Sequence, residues 1–286
     1  PVLIHGGPFA NIAHGCNSLI ALKLSRKLAP ISITEAGFGS DLGAEKFFDI
    51  ACRYGEMKPD GVVMVATLRA LKMHGGQLLD KINEENVDAL LKGVGNLRVH
   101  LENVKKFGVP SVVAIYHFAS DHQSEIEALE KWCGENGYVV SFLDGYLKGG
   151  EGAMDLAQKV VDMLSTKPSN YKPLYKLDLS IEEKIEKVCK HIYRAGHVEY
   201  SSLAREQIAR YNQLGYQNLP VCMAKTPLSL SDNPEVIGAP SGYTMTIREL
   251  TLSAGAGFIV ALTGSILRMP GLPKIPSAVL MEDLPY

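Results

Sequence analysis

Five short apolar runs, spaced by amphipathic stretches, dominate the first 165 residues and leave few folds open to this chain. Val2–Ile4, Ile31–Thr34, Val62–Ala66, Val112–Ile115 and Val139–Phe142 are β-branched and nearly unbroken. A run that is apolar at every position, rather than at alternate ones, suits a strand buried on both faces of a parallel sheet. Between the runs lie Ala10–Lys27, Leu42–Arg53, Glu84–Phe107, Gln123–Glu135 and Ala153–Leu164, each with helical spacing. Leu90, Val94, Leu97, Leu101 and Val104 recur every three or four positions, as one face of a helix does. The alternation predicts an α/β fold built on a doubly wound, mostly parallel sheet.

The rhythm changes after Thr166-Lys167-Pro168-Ser169-Asn170. Two helical stretches follow, Ile181–Tyr193 and Ser202–Leu214, the first opened by Ser180 with Glu183 three residues on, a capping box. Strand-like segments Val221–Ala224, Tyr243–Leu252 and Gly257–Leu262 come next. The pattern predicts two parts, residues 1–166 and a smaller α+β domain over 167–286. The chain opens inside an expected strand and closes on Asp283-Leu284-Pro285-Tyr286 without an anchoring element, which leads us to expect a piece of a longer protein.

Formal charge is -2 and the pI near 6.5, so there is no basic excess to favour nucleic acid or an anionic membrane as partner. No apolar run reaches the ~18 residues of a membrane span, and no signal or transit pattern is present. Cys16, Cys52, Cys133, Cys189 and Cys222 include no C-x-x-C pair and suit neither a zinc site nor a disulfide framework. Reduced, mostly buried thiols in a cytoplasmic protein are the expectation.

Ligands gather at the carboxyl ends of the strands of an open parallel sheet. Here those ends are rich in glycine and charge: His5–Gly15, Glu35–Asp41, Thr67–Gly76 and Tyr116-His117-Phe118. Each has an ordinary explanation. A Gly-Gly pair is often a tight turn, Glu35 can cap a helix, and Arg69 with Lys72 can form a solvated face. His5, His14 and His74 can be satisfied polar residues. Their coincidence at one sheet edge points to an anion or nucleotide site. Phe118 and Tyr146 lie just beyond their strands, in polar or glycine-rich surroundings, where two flat rings can sandwich a heteroaromatic ring or pack beneath a loop. Lys148-Gly149-Gly150-Glu151-Gly152 follows, with room for close approach beside a positive charge.

Val65–Gly76 (VATLRALKMHGG) resembles a signature of the formate–tetrahydrofolate ligase family. His5–Ser18 (HGGPFANIAHGCNS), Thr34–Phe47 (TEAGFGSDLGAEKF), Asn218–Thr226 (NLPVCMAKT) and Met269–Lys274 (MPGLPK) are similar to further family segments, in order along the chain. The resemblance implies a P-loop-NTPase-like fold, here incomplete, and ligation of formate to N10 of tetrahydrofolate with ATP, through formyl phosphate. ATP with Mg, formate and tetrahydrofolate are the implied small-molecule partners, with a monovalent cation and a homotetramer as further family properties. Family members carry a P-loop in an N-terminal half. No G-x-x-x-x-G-K-[ST] occurs in this sequence, so a catalytically incomplete fragment, acting as a folate- or purine-binding or assembly half, is the alternative.

Carried over by position, Phe118 and Tyr146 fall where the family holds the flat ring of a pteridine or purine. Tyr146 replaces the usual Trp, Tyr116 a usual Asn, and Ser120-Asp121-His122 a Thr-Asp-Thr or Thr-Asp-Ser pattern. Arg268 stands where Thr is common and Ala261 where Pro is expected. These departures bear on ring affinity more than on the fold. Glu35, as a ligand of Mg, and Arg69 and Lys72, as phosphate or folate-tail neutralisers, form the expected catalytic set. Gly7, Phe9, Asn11, His74, Gly75, Gly76, Lys148 and Gly149 complete the expected binding set.

Overall fold

The computed structural model describes residues 9–266. The expected strand Val2–Ile4, Gly7, Arg268 and the Met269–Lys274 segment lie outside the described residues.

Three strands, β1 (Val62–Ala66), β2 (Ser111–Tyr116) and β3 (Val139–Leu143), form a parallel sheet in chain order. Its crossovers are α3 (Leu68–His74) with α4 (Val87–Lys106), and then α5 (Gln123–Glu135). After β3 come α6 (Gly145–Lys148) and α7 (Met154–Thr166), and α7 packs on β2 and β3. Alternation decides what is buried. Met64, Ala66, Val113 and Ile115 face one side and enter the main core with Leu90, Val94 and Leu97 of α4. Val112 and Ala114, on the other side of β2, are fully buried, whereas their partners Val63 and Val65 on β1 are 39% and 57% exposed. One face of the sheet is thus covered at β2 and bare at β1.

Close helix packing depends on two glycines. A Cβ on Gly75 would lie 1.7 Å from the Ala89 carbonyl, and one on Gly93 would lie 1.7 Å from that of Leu71. Gly75 therefore lets α3 and α4 approach.

The second sheet is mixed, in the order β4 (His197–Tyr200), β6 (Thr244–Ser253), β7 (Phe258–Thr263), β5 (Val221–Ala224). Strands β6 and β7 are antiparallel, and the outer strands pair in parallel with them. Helices α8 (Ile181–His191) and α9 (Ser202–Gln213) pack against it, and the Ser180–Glu183 capping box is formed at the start of α8. A single apolar cluster joins Phe48, Val113 and Leu129 to Ile185, Val221 and Met245, drawing on both sides of residue 167.

Two expectations fail locally. Residues 31–34 form no strand: Ile31 and Ile33 are 48% and 89% exposed, Pro30 offers no N–H, and no strand among the described residues supplies a ladder there. The expected helix over residues 10–27 is only α1 (Leu19–Leu28), capped by Ser18. A helix over residues 40–55 forms as expected, but with π turns at Ser40–Ala44 and Phe47–Ala51 before its α-helical end, α2 (Cys52–Gly55).

All five cysteines are buried and unpaired. Burial pushes the Cys16, Cys52 and Cys133 thiols up to about 12. Among the described residues no helix is long and apolar enough to cross a membrane.

Candidate functional site

The parallel register brings the carboxyl ends of β1, β2 and β3 to one edge. At the end of β1, Thr67 caps α3 by accepting a hydrogen bond from the Ala70 N–H (3.2 Å). The first turn of α3 then carries Arg69, whose guanidinium lies over the Phe118 ring, 5.4 Å from its centroid. At the end of β2, Phe118 is fixed by a turn: Asp121 N–H donates to its carbonyl, and its own N–H donates to the Asp121 carboxylate (both 2.9 Å). Tyr116 and Phe118 lie with ring centroids 5.4 Å apart. Arg69, Tyr116 and Phe118 therefore build one wall, a cation over a half-buried aromatic pair.

The end of β3 supplies the adjoining loop. Tyr146, on the four-residue α6, is 81% exposed. Beneath it Asp144 is buried, its carboxylate 3.2 Å from His117 Nδ1 and 3.1 Å from Lys148 Nζ. The hydrogen bond with His117 and, after the opposing effect of burial, the bond to Lys148 hold the Asp144 carboxyl below its ordinary range. The Asp144 N–H donates to the Gly152 carbonyl (3.0 Å), and a Cβ on Gly152 would meet the Asp144 carbonyl at 2.2 Å. Gly149 closes the loop at φ 58°, where a side chain is strained. The roles of His117 and Asp144 are missing from the sequence reading. Their signal is the register: Tyr116 pairs with Leu143, so the next two residues meet.

Lys72 is placed differently from the expectation of a phosphate neutraliser. It is 1% exposed, with its ammonium 2.9 Å from Glu125 and 2.8 Å from the Glu84 carbonyl, and it ties α3 to α5 inside the protein. His74 accepts a hydrogen bond from the Gly238 N–H (3.1 Å), and burial lowers its proton affinity, so it is a neutral contact to the 233–239 loop. Gly75 serves helix packing, and Gly76 ends α3 at φ 98° with open space around it.

Phe9 and Asn11 belong to a second group of contacts. The Phe9 ring stands 6.2 Å from that of Phe38, and the Asn11 carbonyl accepts from the Lys225 N–H (3.0 Å). Beneath them Lys46 donates to the Ala10 carbonyl, and Lys225 pairs with Asp41 at 2.9 Å, all buried. Burial alone would raise the Asp41 carboxyl; Lys225 and then His100 outweigh it and hold it low. Glu35 is exposed, and no group of three or more metal-ligating side chains occurs among the described residues. One free carboxylate matches Mg brought in with phosphates, which needs only one or two protein oxygens. A separate hollow of about 400 Å³, lined by Arg53, Tyr175, Lys176, Leu179 and Lys187 among others, shares no residue with either group.

Comparison with protein-family models matches residues 1–283 to the family described as formate–tetrahydrofolate ligase.

Proposed function

Since the chain belongs to the formate–tetrahydrofolate ligase family, we propose that the β1–β3 edge holds the flat ring of tetrahydrofolate or of ATP during formylation of the folate amine. The observation that carries this reading is the Arg69–Phe118 wall with the outward Tyr146 on the adjoining loop. A ring entering between them gains stacking on both faces, roughly 1–3 kcal/mol for each aromatic partner. Arg69 adds a positive charge beside the ring plane, suited to phosphate or to the carboxylates of the folate tail.

In this reading a formate oxygen attacks the γ-phosphorus of ATP, ADP leaves, and formyl phosphate results. The folate N10 then attacks the formyl carbon, phosphate leaves, and N10 loses its proton. Mg carried with the nucleotide would offset phosphoryl charge, and Glu35 would contribute one oxygen to it. The chain's own part is to bind and orient, with Phe118 and Tyr146 on the ring and Arg69 on the anion. Lys72 acts only by fixing α3 against α5. Buried, unpaired thiols accord with a reducing compartment such as the cytoplasm.

A second reading, for a protein made of these residues alone, is a ring-binding or assembly half without phosphoryl transfer of its own, since they contain no G-x-x-x-x-G-K-[ST]. An ATP-, formate- and folate-dependent turnover assay separates the two. The ring site is tested apart from turnover by calorimetric titration of Phe118→Ala/Tyr146→Ala with tetrahydrofolate and with ATP. At least a roughly tenfold loss for one ligand is expected, equivalent to about 1.4 kcal/mol. Affinity unchanged for both would end the assignment.

A further inference from the structure

Tyr146 poses a physical problem. It is 81% exposed on a helix of four residues, which has no stability of its own. An exposed ring presented for stacking must be held from below, or the ordering cost falls on the ligand. Asp144 occupies the N-cap position of α6, where an aspartate normally accepts hydrogen bonds from the helix's first N–H groups. Its carboxylate makes no such cap bond. It turns instead to His117, beyond the end of the neighbouring strand, and to Lys148 at the far end of α6.

We propose that Asp144 and His117 are positioning residues for the ring site: their bond fastens the 144–152 loop to the end of β2 and so sets Tyr146 opposite Phe118. The inference rests on the ring-site reading above. The loop's remaining supports are consistent with a hub at Asp144. Its N–H bonds to the Gly152 carbonyl, its carbonyl accepts from the Lys148 N–H (3.0 Å), and Gly152 has no space for a side chain. His117 is itself pinned by its N–H to the Leu143 carbonyl (3.0 Å) and packs its ring 4.9 Å from that of Phe142. The anchor side is therefore rigid sheet, and the carried side is the short helix. Because Phe118 is the residue after His117, one strand end holds one ring directly and aims the other through Asp144.

Calorimetric titration with tetrahydrofolate and with ATP tests this, for the ligand whose binding needs the ring site, in a double-mutant cycle of Asp144→Asn and Tyr146→Ala. Asp144→Asn should weaken binding about fivefold to tenfold, as expected for one charge-assisted hydrogen bond, and should add nothing in the Tyr146→Ala background. His117→Ala should match it, while His117→Asn, which keeps a donor near the position of Nδ1, should stay within about twofold of the parent. Hydrogen exchange of the 145–150 amides should quicken in Asp144→Asn while β2 and β3 stay protected, a readout that needs no ligand. An undiminished penalty in the Tyr146→Ala background overturns the inference. Loss from Tyr146→Ala without loss from Asp144→Asn overturns it alone; loss from Asp144→Asn without loss from Tyr146→Ala overturns it together with the ring-site reading. If Asp144→Asn does not fold, the His117→Ala and His117→Asn pair decides the matter by the same comparison.

Discussion

Replacing Lys72 with methionine would leave the Glu125 carboxylate buried without its counter-charge. The pair is closed to solvent, with side-chain exposures of 1% and 0% and a 2.9 Å contact. Glu125 Oε1 also accepts the Asn86 N–H at 2.7 Å, at the start of α4, and Oε2 has no partner among the described residues. The loss thus reaches three helices at once. Breaking a buried pair from one side costs about 3–5 kcal/mol, chiefly through the orphaned charge. At about 2–4 °C per kcal/mol, Tm should fall by roughly 6–20 °C. Adding Glu125→Gln should restore about half of that loss or more, because the amide removes the charge while its oxygen still serves Asn86. Urea unfolding followed by circular dichroism gives the free energies for the parent, both single variants and the double variant. A loss below about 1 kcal/mol for Lys72→Met, or a double variant no more stable than it, would refute the argument. The double variant also separates structure from binding. If its stability returns while tetrahydrofolate affinity stays about tenfold down, Lys72 touches ligand after all.

A second expectation concerns Glu45 and Asp49, one turn apart in the 40–55 helix and both fully buried. Burial, and then the neighbouring carboxyl, raises Glu45 well above its ordinary value, and burial raises Asp49 too despite Arg53. The folded state therefore holds protons that the unfolded chain releases, so stability is full below about pH 4 for these groups and declines as pH rises through their folded values. Tm measured from pH 4 to 9 should fall less steeply on the alkaline side in Glu45→Gln; an identical slope would count against a protonated Glu45. At the α3–α4 contact, Gly75→Ala places a methyl against the Ala89 carbonyl and should cost about 1–3 kcal/mol in chemical denaturation, where a neutral result would mean the helices can separate freely.

Elements whose support is local were legible in the sequence. The runs over 112–115 and 221–224 are strands buried at every position, those over 62–66 and 139–142 are β-branched strands with some positions exposed, and the capping box at Ser180 is a four-residue matter. Ile31–Thr34 is likewise rich in β-branched residues but has no neighbouring ladder among the described residues, which composition cannot reveal. Strand β4 is not legible in the sequence because His197-Val198-Glu199-Tyr200 is short and alternates in exposure at the sheet's edge. The site divides the same way. Phe118 and Tyr146 were legible as aromatics out of place, whereas the Asp144–His117 bond follows from pairing Tyr116 with Leu143. Arg69 and Lys72, equal in sequence as two cations three apart, part company because one reaches a ring at the sheet edge and the other faces α5.

The π turns of the 40–55 helix give that segment slack in its length. A π turn accommodates one more residue than an α turn, and each residue of an α-helix advances the side-chain direction by about 100°. Deleting one residue within Phe47–Ala51 would let the turn close to α geometry while the residues after it keep their direction about the axis. Arg53, which meets Asp49 and the Tyr175 carbonyl, would still be turned toward Tyr175. Single-residue deletions should therefore be tolerated better there than in α4 of ordinary pitch, where each one swings all that follows by about 100°.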